Sequence, residues 1–243
     1  ASAKVGTLLG DDGGFFKVGL ELKNREATNR AGFDQIPSFE EQTPANLALR
    51  GQRNYVLGDG ATKGLNAWLN TKVPFSASGE FYAFGTYNQR DTEGANYFRY
   101  PDGSANWPQV YPDGFRPVSL GENLDVSAVA GVRGRLGDWD YDASLNHGRN
   151  EFTYRLVNSI NASLGPSSPT RFRTGDYAFN QTLANVDLSR GFNAGDNFHT
   201  VAVGAEFRTE HYETGAGDPA SYAVGPFTGR PAGSQAGGGL TPQ

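Results

Sequence analysis

Asp138, Asp140 and Asp142 carry the D-x-D-x-D spacing that opens a calcium-binding loop. Such a loop also needs a glycine at its sharp turn and a glutamate at its twelfth position. Here the glycine is missing and the twelfth position is Arg149. Residues two apart on a strand share a face, so the three carboxylates are expected to line one wetted side of a sheet, and no metal site is expected. His147, His199 and His211 are the only histidines, at spacings unsuited to a shared metal, and they read as solvated or lumenal side chains. Glu206, Arg208 and Glu210 also fall two apart and predict a charged ladder on one strand face. No nucleophile elbow or phosphate loop occurs. With no cysteine there is no disulfide, thiolate ligand or thiol nucleophile. The sequence therefore predicts no catalytic residue and no cofactor. Its candidates for recognition are aromatic: Trp107, Tyr111 and Phe115 can stack on a sugar or grip an apolar solute, or else pack their own loop against a rim.

Strands must position these residues. The stretch 122–150 reads as two long antiparallel arms around a tight turn at Gly137-Asp138. In the first arm Val126, Ala128, Ala130, Val132, Gly134 and Leu136 share a face opposite Asp125, Ser127, Gly131, Arg133 and Arg135. In the second, Trp139, Tyr141, Ala143 and Leu145 oppose Asp138, Asp140, Asp142, Ser144 and Asn146. Period-2 alternation of this kind makes a sheet with one apolar and one polar face. Related patterns cover 3–9, 15–25, 61–73, 79–90, 177–192 and 198–213. The segment 79–90 has aromatics on both faces, so its orientation stays open. The connections alternate between short (11–14, 74–78, 137–138, 193–196) and long (27–60, 91–121, 156–176), and 214–243 is a Gly- and Pro-rich loop or disordered end.

About eight strands with short turns at one end and long loops at the other is the rhythm of an outer-membrane barrel. The arms of roughly 12 residues exceed the usual strand of about 5–6. The expected fold is therefore all-β: an antiparallel transmembrane barrel segment occupying 1–243 as one domain. Val126, Ala128, Ala130, Val132, Val201, Val203, Ala205 and Phe207 should face lipid, with Arg133, Arg135, Asp140, Asp142, Glu206 and Arg208 facing the lumen.

Composition agrees. Hydrophobic residues make up 37% and no large conventional core is expected, yet 12% aromatics and 33 glycines are unlike a disordered chain. Net charge is −5 with both signs mixed and no basic stripe, which argues against a nucleic-acid partner. No apolar run approaches the ~18 residues of a membrane helix, and no signal peptide opens the sequence. Methionine is absent, so a processed product or an internal piece is expected.

Family likeness rests on short segments in order: Leu20-Glu21-Leu22-Lys23-Asn24-Arg25 with Thr28-Asn29-Arg30-Ala31-Gly32, Phe81-Tyr82-Ala83-Phe84-Gly85-Thr86-Tyr87, Tyr111-Pro112-Asp113-Gly114-Phe115, Gly148-Arg149-Asn150-Glu151-Phe152, the run NSINASLGPSSPT from Asn158, and Gly204-Ala205-Glu206-Phe207-Arg208. Together they resemble the barrel of a TonB-dependent outer-membrane receptor. The resemblance implies energy-coupled uptake of a scarce nutrient: a siderophore, a vitamin or an oligosaccharide. It implies no enzyme activity. The implied partners are outer-membrane lipid, the remaining strands of a barrel of about 22, a plug domain, the transported small molecule, and TonB through an N-terminal segment. Neither plug nor terminal aromatic strand is seen, and the sequence closes Leu240-Thr241-Pro242-Gln243, so an internal barrel piece is expected. From a different class, a self-contained eight-stranded barrel with a structural or adhesive role also fits. Pairing of the first strand with the last distinguishes the two. A soluble β-rich module is a third reading.

Overall fold

The computed structural model of the chain describes residues 1–38, 40–235 and 238–242; residues 39, 236, 237 and 243, within the expected long loops and chain end, lie outside the described residues. Eight strands form one antiparallel sheet in chain order: β1 Ser2–Leu9, β2 Gly14–Arg25, β3 Ala61–Ser76, β4 Gly79–Ala95, β5 Val118–Leu136, β6 Trp139–Val157, β7 Arg171–Ala194 and β8 Asn197–Ala216. The first and last strands are its two free edges, so the sheet is not closed into a barrel.

At one end the connections are hairpins. The turn Gly137-Asp138 joins β5 to β6 and Gly195-Asp196 joins β7 to β8. Gly137 has φ +60° and Gly195 φ +63°, while neither aspartate has positive φ. That is the sign pattern of a type II′ turn, whose twist matches the strands and whose first position favours glycine. Asp138 therefore sits in a turn and not on the carboxylate face; it pairs with Arg190 at 2.6 Å. The expected connection at 74–78 shortens, because Pro74 and Ser76 still pair with β4 across a register shift.

At the other end, loop 1 (26–60), loop 2 (96–117), loop 3 (158–170) and loop 4 (217–242) emerge from strands longer than the sequence predicts. β4 runs to Ala95, β6 to Val157, and β7 starts at Arg171. The 19 residues of β6 span about 63 Å at ~3.3 Å per residue. Along their far halves the outer face turns polar, while on β6 and β7 the inner face takes up aromatics (Phe152, Tyr154, Tyr177, Phe179), so the alternation changes face while pairing continues.

Register fixes the faces. Phe81, Ala83, Gly85 and Tyr87 sit opposite Val132, Ala130, Ala128 and Val126. The orientation that the sequence leaves open is thereby settled, with this set on the apolar side. On β6, β7 and β8 the same face carries a sharp boundary, whereas on β5 the row of His147 is still apolar at Ala128, with Val126 beyond it. Leu145, Ala184 and Phe207 are cross-strand partners and form the last apolar row. The next row is His147, Thr182 and Thr209. All three histidines lie on this face (His199 beside Phe192, His211 beside Asn180) and are exposed, as solvated side chains are expected to be.

No second layer packs on the sheet among the described residues. Leu136 is 78% exposed, Phe207 69% and Leu145 64%. The packed interior lies in the loops: Ile36, Leu49 and Tyr100 form one buried cluster, and Phe115, Ile160 and Ala162 another.

Candidate functional site

Two surfaces gather the chemistry-bearing residues. The first is the polar face of the sheet near the short turns. Arg133 lies opposite Glu80 and Asp142, and Arg135 opposite Asp140. Glu80 accepts from Arg133 Nε at 2.7 Å and pairs with Lys72 at 3.2 Å. Tyr82 donates to Asp142 Oδ1 at 2.6 Å, and the Arg133 guanidinium lies 5.1 Å from the Tyr82 ring centre. Arg135 pairs with Asp140 at 3.0 Å. Glu80, Arg133, Arg135, Asp140 and Asp142, together with Asp12, Asp187 and Ser189, line an open hollow of about 1070 Å³. Four of the six charged residues expected to share a face thus come together. Glu206 and Arg208 lie on the same face but apart from them, on the edge strand β8, where Arg208 pairs with Glu206 at 2.7 Å and with Glu210 at 3.6 Å. Opposite charges are apposed at Arg133 and Arg135, whereas Asp142 lies opposite the like-charged Asp187, so the face is only partly compensated. Exposed pairs of this kind contribute about 0–1 kcal/mol each and set local geometry more than stability. Among the described residues no cluster of acidic and histidine side chains could hold a metal ion.

The second surface is the cap formed by the loops. Loop 1 is fastened to loop 2 by a buried carboxylate. Asp34 accepts from its own loop at Ile36 N (2.7 Å) and Asn54 Nδ2 (2.8 Å), and from the Tyr100 hydroxyl at 2.7 Å. Tyr55 adds a 2.5 Å hydroxyl contact to Tyr100. Burial, then the hydrogen bonds of Tyr55 and Asp34, push the Tyr100 phenol well above its ordinary range. Burial also raises Glu40 and lowers Arg99, with the attraction between them opposing each shift.

Loops 2, 3 and 4 meet around the aromatic candidates. Trp107 donates from Nε1 to the Ala162 carbonyl at 2.8 Å and meets the edge of Phe227 at 4.9 Å. Tyr111 stacks on Phe115 at 4.5 Å, and Phe115 is 3% exposed. The three predicted ligand-contact residues are thus brought together, but Phe115 packs inside the loop cluster and Trp107 and Tyr111 are half-buried there. Burial raises the Tyr111 phenol. Asn161 ties loop 3 to loop 4, donating to the carbonyls of Ala220 (2.9 Å) and Ala223 (2.8 Å) while its Oδ1 accepts from Ser163 Oγ at 2.7 Å. Of the stretch 214–243 expected to be loop, 214–216 continue β8 and the described residues from 217 on form a strap seated on loop 3. It includes a short helix, α1, at Pro219–Tyr222.

Sequence reasoning missed Asp34, Tyr55, Tyr100, Asn161 and Arg230, all of them loop residues whose partners lie far off along the chain. A scan against protein-family models and searches of curated proteins and of solved structures each found no match.

Proposed function

We propose that the chain is part of the wall of a bacterial outer-membrane barrel, resembling that of a TonB-dependent receptor, and serves in the uptake of a scarce small molecule such as a siderophore, a vitamin or an oligosaccharide. The observation that carries this reading is the aligned boundary on one sheet face, where Leu145, Ala184 and Phe207 give way to His147, Thr182 and Thr209. A sheet in water buries its apolar face against another layer, and among the described residues this face has none. Barrel strands in a bilayer present an apolar band about 25 Å tall and then turn polar, with long loops on the outer side. No helix among the described residues is long and apolar enough to cross a membrane, and strands are the other means of crossing.

In this reading lipid covers the apolar band and the charged face lines a lumen. Further strands continue from the free edges β1 and β8, because open edges leave backbone groups unpaired in lipid. A plug and TonB complete the machine. The closed eight-stranded alternative requires β1 to pair with β8, and in this sheet they do not.

Fractionation of cells making the full-length protein is the first test. Recovery with the outer membrane after a urea wash is expected, and recovery in the soluble fraction would refute the reading. Uptake of labelled siderophores, cobalamin and oligosaccharides, with and without a protonophore, tests transport. Loss of one activity on uncoupling is expected, and protonophore-insensitive entry of all three would argue against energy coupling.

A further inference from the structure

Arg230, at the tip of the loop-4 strap, is held by loop 2 in an unusual way. Its Nη1 donates to three backbone carbonyls, those of Gly103 (3.4 Å), Ser104 (3.2 Å) and Asn106. The guanidinium carbon stands 4.1 Å from the centre of the Trp107 ring. No carboxylate pairs with it among the described residues. The same turn holds a spare acceptor. Asn106 is fully buried, its Nδ2 donates to the carbonyls of Pro101 (2.8 Å) and Tyr111 (2.9 Å), and its Oδ1 has no hydrogen-bond partner. Those two donated bonds fix which end of the amide is oxygen.

A planar, weakly hydrated cation that stacks on an aromatic face and donates in its own plane suits this nest. A guanidinium has those properties and a compact ammonium does not. The nest is uncharged, so nothing in it ties the site to Arg230 in particular.

We propose that the 103–107 turn of loop 2 is a recognition site for a guanidinium group, held shut by Arg230 as an internal occupant, and that a small external molecule bearing a guanidinium displaces Arg230 and frees the strap. The strap is built for local release. Asn161 pins its start at Ala220 and Ala223, while the tip rests on Phe227 N to Ser163 O (3.1 Å), Ser163 N to Pro231 O (3.1 Å) and the Trp107–Phe227 edge contact. Displacing Arg230 bares one face of the half-buried Trp107. The site stands on loop geometry alone and does not depend on the transport reading.

Hydrogen–deuterium exchange of the full-length protein tests this with L-argininamide as the probe and L-citrullinamide, its uncharged isostere, as the control. Argininamide is expected to slow exchange in 101–111 and speed it in 225–235, and citrullinamide to do neither. An internal competitor at short tether acts at millimolar effective concentration. Arg230→Ala should therefore loosen 225–235 without any ligand and lower the argininamide concentration needed for protection by about tenfold or more. Trp107→Ala should abolish protection. Arg230→Lys, which keeps the charge and loses the stacking plane, should behave as a partly open strap if the alanine variant fails to fold. No response to argininamide in the wild type and in whichever Arg230 variant folds would overturn the proposal. An equal response to citrullinamide would overturn it too.

Discussion

Placing an arginine at Val203 separates a lipid-facing strand from a water-facing one. Val203 is 55% exposed and shares a row with Leu188 and Tyr141. It lies four residues before Phe207, about 13 Å along the strand at ~3.3 Å per residue, or roughly half of a 25 Å apolar band. An arginine near the bilayer midplane costs about 2–4 kcal/mol, which lowers the folding equilibrium about 30- to 1000-fold. In water the same change on an exposed, unpacked face falls within about ±0.5 kcal/mol. Thr209→Arg is the matched control on the same strand and face. It lies in the first polar row, where the cost is about 0–1 kcal/mol. Urea titration of the full-length protein folding into lipid vesicles, followed by tryptophan emission, reads both values. A Val203→Arg variant within 0.5 kcal/mol of wild type, or equal to Thr209→Arg, refutes the lipid-facing assignment.

On the opposite face, Asp142→Asn keeps an acceptor for Tyr82 and should change stability by less than about 1 kcal/mol in that same titration, well below the effect of Val203→Arg. In the cap, Tyr100→Phe removes a donor from the buried Asp34 carboxylate and should cost about 1–3 kcal/mol, seen as faster amide exchange across 34–54 with the strands unaffected. The raised Tyr100 phenol means that the folded cap holds this proton more tightly than the unfolded chain does. Its contribution is full below about pH 10 and is lost as pH rises beyond that, so the alkaline loosening of 34–54 should diminish in Tyr100→Phe. Glu40 is raised by burial, so its contribution is full only below the ordinary carboxylate range and is lost as pH rises through the raised value. Glu40→Gln should therefore protect loop 1 at pH 7 and make no difference at pH 3. Trypsin added to whole cells should cut at the exposed Arg30 or Arg50, and cuts confined to the short turns would reverse the topology.

Strand number, sheet order and most side-chain facing were legible, because period-2 alternation is strong wherever one face is apolar. The limits of the strands were not. Beyond Tyr87 both faces turn polar, and beyond Leu145 and before Ala184 the apolar residues change face, so only pairing to a neighbour reveals that Gln89 or Arg149 is still on a strand. The segment around Tyr82 and Phe84 was ambiguous for the opposite reason, since aromatics occupy both faces. The histidines are solvated as expected, but which face they occupy emerges only from the register. The cap was illegible for a chain-topology reason. Asp34 meets Tyr100 and Trp107 meets Arg230 only because the sheet brings the loop ends together, and no local pattern announces a contact between loops on different hairpins.

The two halves of the molecule are suited to different surroundings. In the cap the apolar clusters are small and the buried polar groups are mostly paired: Asp34 with Tyr100 and Asn54, Asn161 with Ala220 and Ala223. Such an assembly holds in water, where any group that opens is solvated at once. The sheet near the short turns has the reverse character. Between its edges the backbone is satisfied strand to strand, its outer face offers Val203, Val186, Leu145 and Phe207 with nothing packed on them, and most of its charges lie on the inner face, the Asp138–Arg190 pair at the turns being the exception. In water that outer face is a liability for aggregation, whereas against hydrocarbon it is the stable arrangement. The change between the two regimes falls between Leu145 and His147, two positions apart on one strand, and at the same row of β7 and β8. A boundary that three strands share in register is hard to explain by the needs of any one strand. In the membrane reading proposed above, an environment that changes across these three strands accounts for it, with the strands continuing beyond to carry the loops into water.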